Sequence, residues 1–113
     1  MEISETRREE IVILRLSGRL DARTAGTLAT KLRASIDADE RRFIVDAERL
    51  AYVDSAGLQT LLAAAKRLKP LAGRIVLSAL GEPIRRVFDI AGLSTLFGIY
   101  PDESAAVAAL RSP

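Results

Sequence analysis

Apolar and polar positions follow two rhythms along this chain, and the switches between them lay out its elements. Glu2 to Arg8 alternates, and Ile11-Val12-Ile13-Leu14-Arg15-Leu16 is a short, largely β-branched apolar run. With a turn at Glu9-Glu10 they predict an opening hairpin. Gly18-Arg19-Leu20-Asp21 is expected to end the second strand. Asp21 is expected to cap a helix running to about Asp37, whose apolar positions Ala25, Leu28, Ala29, Leu32 and Ile36 recur at i, i+3, i+4 spacing. After the charged turn Asp39-Glu40-Arg41-Arg42, the run Phe43-Ile44-Val45-Asp46-Ala47 predicts a buried strand with Asp46 near its C-terminal end. A second helix follows from Asp54-Ser55. Its apolar stripe is Leu58, Leu61, Leu62, Ala65 and Leu68, with Gln59, Lys66 and Arg67 on other faces, and Pro70 stops it.

Arg74-Ile75-Val76-Leu77-Ser78 is the next strand, and Gly81-Glu82-Pro83 opens a third helix with Ile84, Val87, Phe88 and Ala91 on one face and Gly92 at its end. Leu96 to Tyr100 predicts a short last strand, and Asp102-Glu103 begins a final helix carrying Val107 and Leu110. The order ββαβαβαβα with short connections predicts a single α/β domain over residues 1–113. An N-terminal antiparallel hairpin leads into a mixed, mostly parallel sheet of four to five strands with about four helices. In such sheets functional residues gather in loops at the C-terminal strand ends, where Asp21, Asp54 and Ser55 fall.

Composition narrows the chemistry. A chain of 113 residues makes one core, and it contains no cysteine and no histidine. That removes disulfides, thiolate and imidazole metal ligands, and every nucleophile that relies on a His base. A G-x-S-x-G elbow around Ser55 fails because Val53 stands two residues before it. Neither a P-loop nor a G-x-G-x-x-G is present, so no nucleotide cofactor is expected. A phosphoacceptor aspartate at Asp46 would need further carboxylates for Mg²⁺, and there is no D-x-D there. Asp46 is expected at a surface-facing strand end or as a structural hydrogen-bond acceptor. The chain is therefore expected to be a binding protein, not an enzyme, with no cofactor and no metal.

Net charge is only +2, the pairs Arg7-Arg8, Arg41-Arg42 and Arg85-Arg86 sit among acidic residues, and there is no tryptophan; nucleic acid is not an expected partner. The N-terminus lacks the pattern of a signal peptide and no run approaches about 20 apolar residues, so a soluble, cytoplasmic protein without membrane insertion is expected.

The most informative stretch is Tyr52-Val53-Asp54-Ser55-Ala56-Gly57-Leu58-Gln59-Thr60. It sets a hydroxyl at a helix entrance, where unsatisfied backbone N–H groups and the positive end of the macrodipole welcome an anion, including a phosphate added to Ser55. Asp54 or Ser55 can equally serve as the helix cap. A capping box built on Ser55 is excluded because Leu58 stands where Glu or Gln is needed. Gly57 costs about 1 kcal/mol of helix propensity relative to alanine, which points to a close backbone approach, here expected from a docking partner. Small residues would let a partner backbone come near, so Ala56, Gly57, Gln59 and Thr60 form the expected contact patch around Ser55. Gln59 and Thr60 also fit ordinary helix surface.

With these residues in view, the chain resembles STAS domains, and especially the bacterial anti-sigma factor antagonists. Gly18-x-Leu20-Asp21 resembles the family's G-x-L-D after the hairpin. Tyr52 to Leu58 resembles its aromatic-apolar-D-S-[SA]-G-L signature, and Ala91-Gly92-Leu93 followed by Leu96-Phe97 matches in order and spacing. The resemblance implies a partner switch: the unphosphorylated protein binds an anti-sigma factor that is also a serine kinase and thereby frees a sigma factor. It also implies that the kinase phosphorylates Ser55, that a phosphatase reverses the mark, and that Asp21 and Asp54 are the flanking acidic positions. A phosphate there is expected to meet an already acidic face and to switch the interface without unfolding the domain. The same fold also serves accessory subunits of lipid-transport ABC systems, which is the alternative reading; stressosome components and cytoplasmic domains of anion transporters are further members.

Overall fold

The computed structural model describes residues 1–111. The expected hairpin is there: β1 (Glu2–Arg8) pairs antiparallel with β2 (Ile11–Leu20), Arg8 opposite Ile11, so Glu9 and Glu10 alone make the turn. Then come α1 (Ala25–Asp37), β3 (Arg42–Val53), α2 (Ser55–Leu68), a short 3-10 turn at Lys69–Leu71, β4 (Arg74–Ser78), α3 (Glu82–Ile90), β5 (Ile99–Tyr100) and α4 (Glu103–Arg111). Among the described residues the five strands form one sheet in the order β1-β2-β3-β4-β5, and every pair after the first is parallel.

Strand side chains alternate between two covered faces. Val12, Leu14 and Leu16 of β2, Phe43, Val45 and Ala47 of β3, and Ile75 and Leu77 of β4 pack under α1, α2 and α3. Ile11, Ile13, Ile44 and Val76 point to the other face, where Ala106, Val107 and Leu110 of α4 cover them. A strand covered on both faces needs apolar residues at consecutive positions, which is why these runs do not alternate in the sequence.

Several boundaries depart from expectation. Gly18 does not end β2. Its backbone takes φ +102, a left-handed conformation that glycine alone adopts freely, and the chain passes through a register irregularity before pairing on to Leu20. β3 also runs longer than expected, to Val53, so Asp46 lies in its middle and is buried, not surface-facing at the end. Beyond Asp46 the strand outlasts β4, which pairs only as far as Ser78, and the polar Glu48 and Arg49 sit where that neighbour is missing. β5 covers only Ile99–Tyr100. Leu96 is exposed, while Phe97 turns inward edge-to-face on Phe88, ring centroids 6.0 Å apart. On the helices, Ala64 is buried and Leu62 only half so, and Ala91 is exposed at the end of α3.

Candidate functional site

Leu20 and Val53 end β2 and β3 as register partners, so the two loops that follow leave the sheet side by side. The Asp54 N–H donates to the Leu20 carbonyl at 3.1 Å, and Asp54 Oδ2 accepts from the Ala22 N–H at 3.2 Å. Its other oxygen, Oδ1, accepts from the N–H groups of Ala56 (2.9 Å) and Gly57 (3.1 Å). Asp54 is thus the cap of α2, in extended backbone with φ −117, and it also ties the β2–α1 loop to the helix start. That resolves the two possible roles at this position. Capping falls to Asp54, and Ser55 is the exposed first residue of the helix with its hydroxyl outside the cap.

Asp21 does not cap α1. The N-cap is Thr24, without a side-chain bond to the helix. Asp21 instead folds onto its own turn: Oδ1 accepts from the Arg23 N–H at 3.0 Å, and the main-chain oxygen accepts from the N–H groups of Thr24 and Ala25. Thr24 closes the loop, its hydroxyl accepting from the Asp21 N–H at 2.9 Å and donating to the Arg19 carbonyl at 2.7 Å. Desolvation pushes the Asp21 carboxyl upward, but bonds from the Arg23 N–H, Thr24 and Arg19 outweigh it and hold the pKa below the ordinary value. Asp21 is therefore ionised near neutrality.

The face expected to be acidic also carries arginine side chains. Arg19 Nε lies 3.5 Å from Asp21 Oδ2, its guanidinium carbon sits 4.0 Å above the centre of the Tyr52 ring, and Arg23 is exposed beside it. Both oxygens of Asp54 are taken by backbone N–H groups. Sequence reasoning passed over Arg19. The signal was its place in the strand pattern, since Arg19 and Tyr52 are register partners across β2 and β3.

Gly57 also departs from expectation. It is buried, and the close approach it permits is internal: a Cβ there would stand 2.7 Å from Leu20 Cγ and 2.9 Å from both the Leu20 carbonyl oxygen and Val53 Cγ2. A partner cannot reach it as an exposed contact. Of the other patch residues, Ala56 is half-buried against the core and Gln59 is exposed. Thr60 is half-buried and its hydroxyl donates to the Ala56 carbonyl at 3.0 Å. Ala56, Gln59 and Thr60 also open a groove of about 350 Å³ between α1 and α2, lined further along by Ala29, Ala63 and Arg33. Among the described residues no group of three or more Asp, Glu, His or Cys side chains could hold a metal, and no helix is long and apolar enough to cross a membrane.

Known proteins resemble this chain over nearly its whole length. BtrV of Bordetella bronchiseptica, described as a candidate anti-sigma factor antagonist, is 34% identical over 112 residues, covering 99% of this chain and 97% of its own. The structure of the anti-sigma factor antagonist SpoIIAA in its unphosphorylated form superposes with a TM-score of 0.78 at 25% identity, covering 99% of this chain and all (100%) of that one. The phosphorylated form of the same Bacillus cell fate determinant gives 0.78 at 27% identity, with 97% and 100% covered. The model of the STAS domain matches residues 2–106, and the chain belongs to the STAS domain family.

Proposed function

We propose that this protein is a cytoplasmic anti-sigma factor antagonist that works by partner switching, with Ser55 as the phosphoacceptor. The unphosphorylated protein binds an anti-sigma factor that is also a serine kinase, and the displaced sigma factor is freed. The kinase then transfers the γ-phosphoryl group of ATP to Ser55 Oγ, releasing ADP, and the hydroxyl proton passes to a base on the kinase. A phosphatase hydrolyses the phosphoserine and resets the switch. The antagonist itself performs no catalysis.

The observation that carries this reading is the division of labour at the start of α2. Asp54 accepts from the N–H groups of Ala56 and Gly57, and Ser55 is exposed and outside the cap. A phosphate of nearly two negative charges at that position faces the positive end of the helix dipole. It also projects from the surface where the partner would sit, beside Asp21, Asp54, Ala56, Gln59 and Thr60. The names of BtrV and SpoIIAA support the same assignment.

The test is affinity capture from the source cells with wild-type protein, Ser55→Ala and Ser55→Asp, followed by incubation of the captured fraction with ATP and mass spectrometry. The expected result is a serine kinase retained by wild type and Ser55→Ala, lost with Ser55→Asp, and one phosphate on Ser55 of the wild type. Retention of an ABC ATPase by all three proteins would replace this reading with a transport subunit.

A further inference from the structure

The groove between α1 and α2 continues well past the surface around Ser55, and its length, lining and charge define what it can hold. On α2 it is lined by Ala56, Thr60, Ala63 and Arg67, whose spacing of four, three and four puts them on one face of the helix. α1 answers with Ala25, Ala29, Leu32 and Ile36 at the same spacing. Each row covers about three turns, roughly 16 Å of helix. The floor is apolar: Ala25, Leu32, Ile36 and Ala64 are buried there, and Ala29 and Ala56 are half-buried. A long depression with an apolar floor between two helices is the shape that a third helix fills, with apolar side chains at the same three- and four-residue spacing.

The charge of the groove has one sign. Its charged lining residues are Arg33 and Arg67, and no carboxylate lines it. The two helices share that bias, with Lys31, Arg33, Lys66 and Arg67 against Asp37 alone, in a chain whose net charge is only +2. Lys31 is engaged by Glu5 at 3.1 Å, and Arg67 reaches across to Asp37, tying the far ends of the helices together. Arg33 and Lys66 are exposed and make no ion pair among the described residues. An apolar floor with unanswered cations at its rim complements a segment that is apolar on one stripe and acidic beside it. A basic helix would set its own cations against Arg33 and be rejected.

We propose that the α1–α2 groove is the docking site for an acidic amphipathic helix of the partner protein, its apolar side chains in the groove and its carboxylates on Arg33 and Arg67. The proposal rests on the partner-switching reading above and adds to it the kind of segment that docks and the way the mark dismisses it. One end of the groove is Ala56, the residue after Ser55, and the other is the Arg67–Asp37 pair. A docked helix therefore has one end beside Ser55. A phosphate there brings nearly two negative charges. It repels the carboxylates of that end within a Debye length, about 8 Å at physiological ionic strength. The partner is released by like charge at one end of a groove whose apolar floor is unchanged.

The experiment is affinity capture from the source cells with wild-type protein, Arg33→Lys, Arg33→Glu and Ala34→Lys. Each captured complex is treated with a carbodiimide, which joins an amine to a carboxylate in direct contact with it, and analysed by mass spectrometry. Arg33 and Ala34 are both exposed, so the substitutions leave the core intact, and Ala34 lies off the groove. The expected result is an amide between the amine of Arg33→Lys and an Asp or Glu of a partner segment that has apolar residues every three or four positions. Ala34→Lys gives no such product, and Arg33→Glu retains about tenfold less of the same partner than wild type. Four outcomes would overturn the groove: no coupling from Arg33→Lys, coupling to a second copy of this chain or to a segment without that apolar spacing, equal coupling from Ala34→Lys, or full retention by Arg33→Glu. A serine kinase retained alongside any of these leaves the switch at Ser55 standing. Coupling to an acidic amphipathic segment of a protein that is not a kinase keeps the groove and removes the kinase reading instead.

Discussion

Replacing Gly57 by alanine sets two effects against each other, and the geometry decides between them. In a helix the change brings roughly 1 kcal/mol of propensity. Here the new Cβ would stand 2.7 Å from Leu20 Cγ and 2.9 Å from the Leu20 carbonyl and Val53 Cγ2. Carbon atoms rest about 3.5–4.0 Å apart, so α2 and the ends of β2 and β3 must separate by roughly 0.8 Å. Leu20 is fully buried and its carbonyl accepts the Asp54 N–H, so neither contact can swing aside without disturbing the cap. Overpacking of this kind costs about 1–3 kcal/mol, and the rigid neighbours place Gly57→Ala toward the upper end. The net expectation is destabilisation by about 1–2 kcal/mol, a fall in Tm of roughly 5–10 °C for a domain of this size.

Gly26 supplies the internal control. It lies in α1 with nothing within 4 Å of its Cβ position, so Gly26→Ala should stabilise by about 0.5–1 kcal/mol. Circular dichroism at 222 nm, read through reversible melts of both variants and wild type, gives the two signs in one experiment. A Gly57→Ala protein that melts at or above wild type would refute the close approach as the reason for glycine at this position.

Three further predictions concern the same helix start. Asp54→Ala removes the acceptor of three backbone N–H groups, two in α2 and one at Ala22, and should cost about 1–2 kcal/mol in urea unfolding; Asp54→Asn should recover most of it. Ser55→Ala and Ser55→Asp should each change stability by no more than about 0.5 kcal/mol, because the residue is exposed and outside the cap. Phosphorylated and unmodified protein should likewise melt within a few degrees of each other. A difference of tens of degrees would make Ser55 a folding switch and not an interface switch.

What the sequence disclosed depended on how local the determining contacts are. β4 was legible to the residue, Arg74–Ser78, because both its faces are covered and the polar Arg74 and Ser78 bracket the apolar run Ile75-Val76-Leu77. The second half of β3 was not, because Glu48, Arg49 and Tyr52 lie where β4 no longer pairs and the pattern there reads as a loop. At the candidate site, Asp54 and Ser55 were legible as a helix entrance, since capping is a relation between residues two and three apart. The role of Gly57 was half legible. The helix-propensity cost was visible, but that the neighbour is Leu20 and not a partner is a tertiary fact. The Arg15–Glu103 pair spans 88 residues, and nothing in either local segment announces it.

If Ser55 is the phosphoacceptor proposed above, these observations together explain how the mark would leave the fold undisturbed. Had the serine been the cap, a phosphate on it would have been drawn into the hydrogen bonds of the helix start, and the mark would have altered the stability of α2 itself. The cap lies one residue earlier, and Asp54 already engages the N–H groups of Ala56 and Gly57. A phosphate on Ser55 therefore finds the favourable potential of the helix end without being needed there for hydrogen bonding. Gly57 completes the arrangement from below: by letting α2 start hard against Leu20 and Val53, it anchors the helix entrance on its buried side and leaves Ser55 on the exposed one. The added charge is then felt by whatever docks on that surface, while the contacts that hold α2 to the sheet lie on its other side.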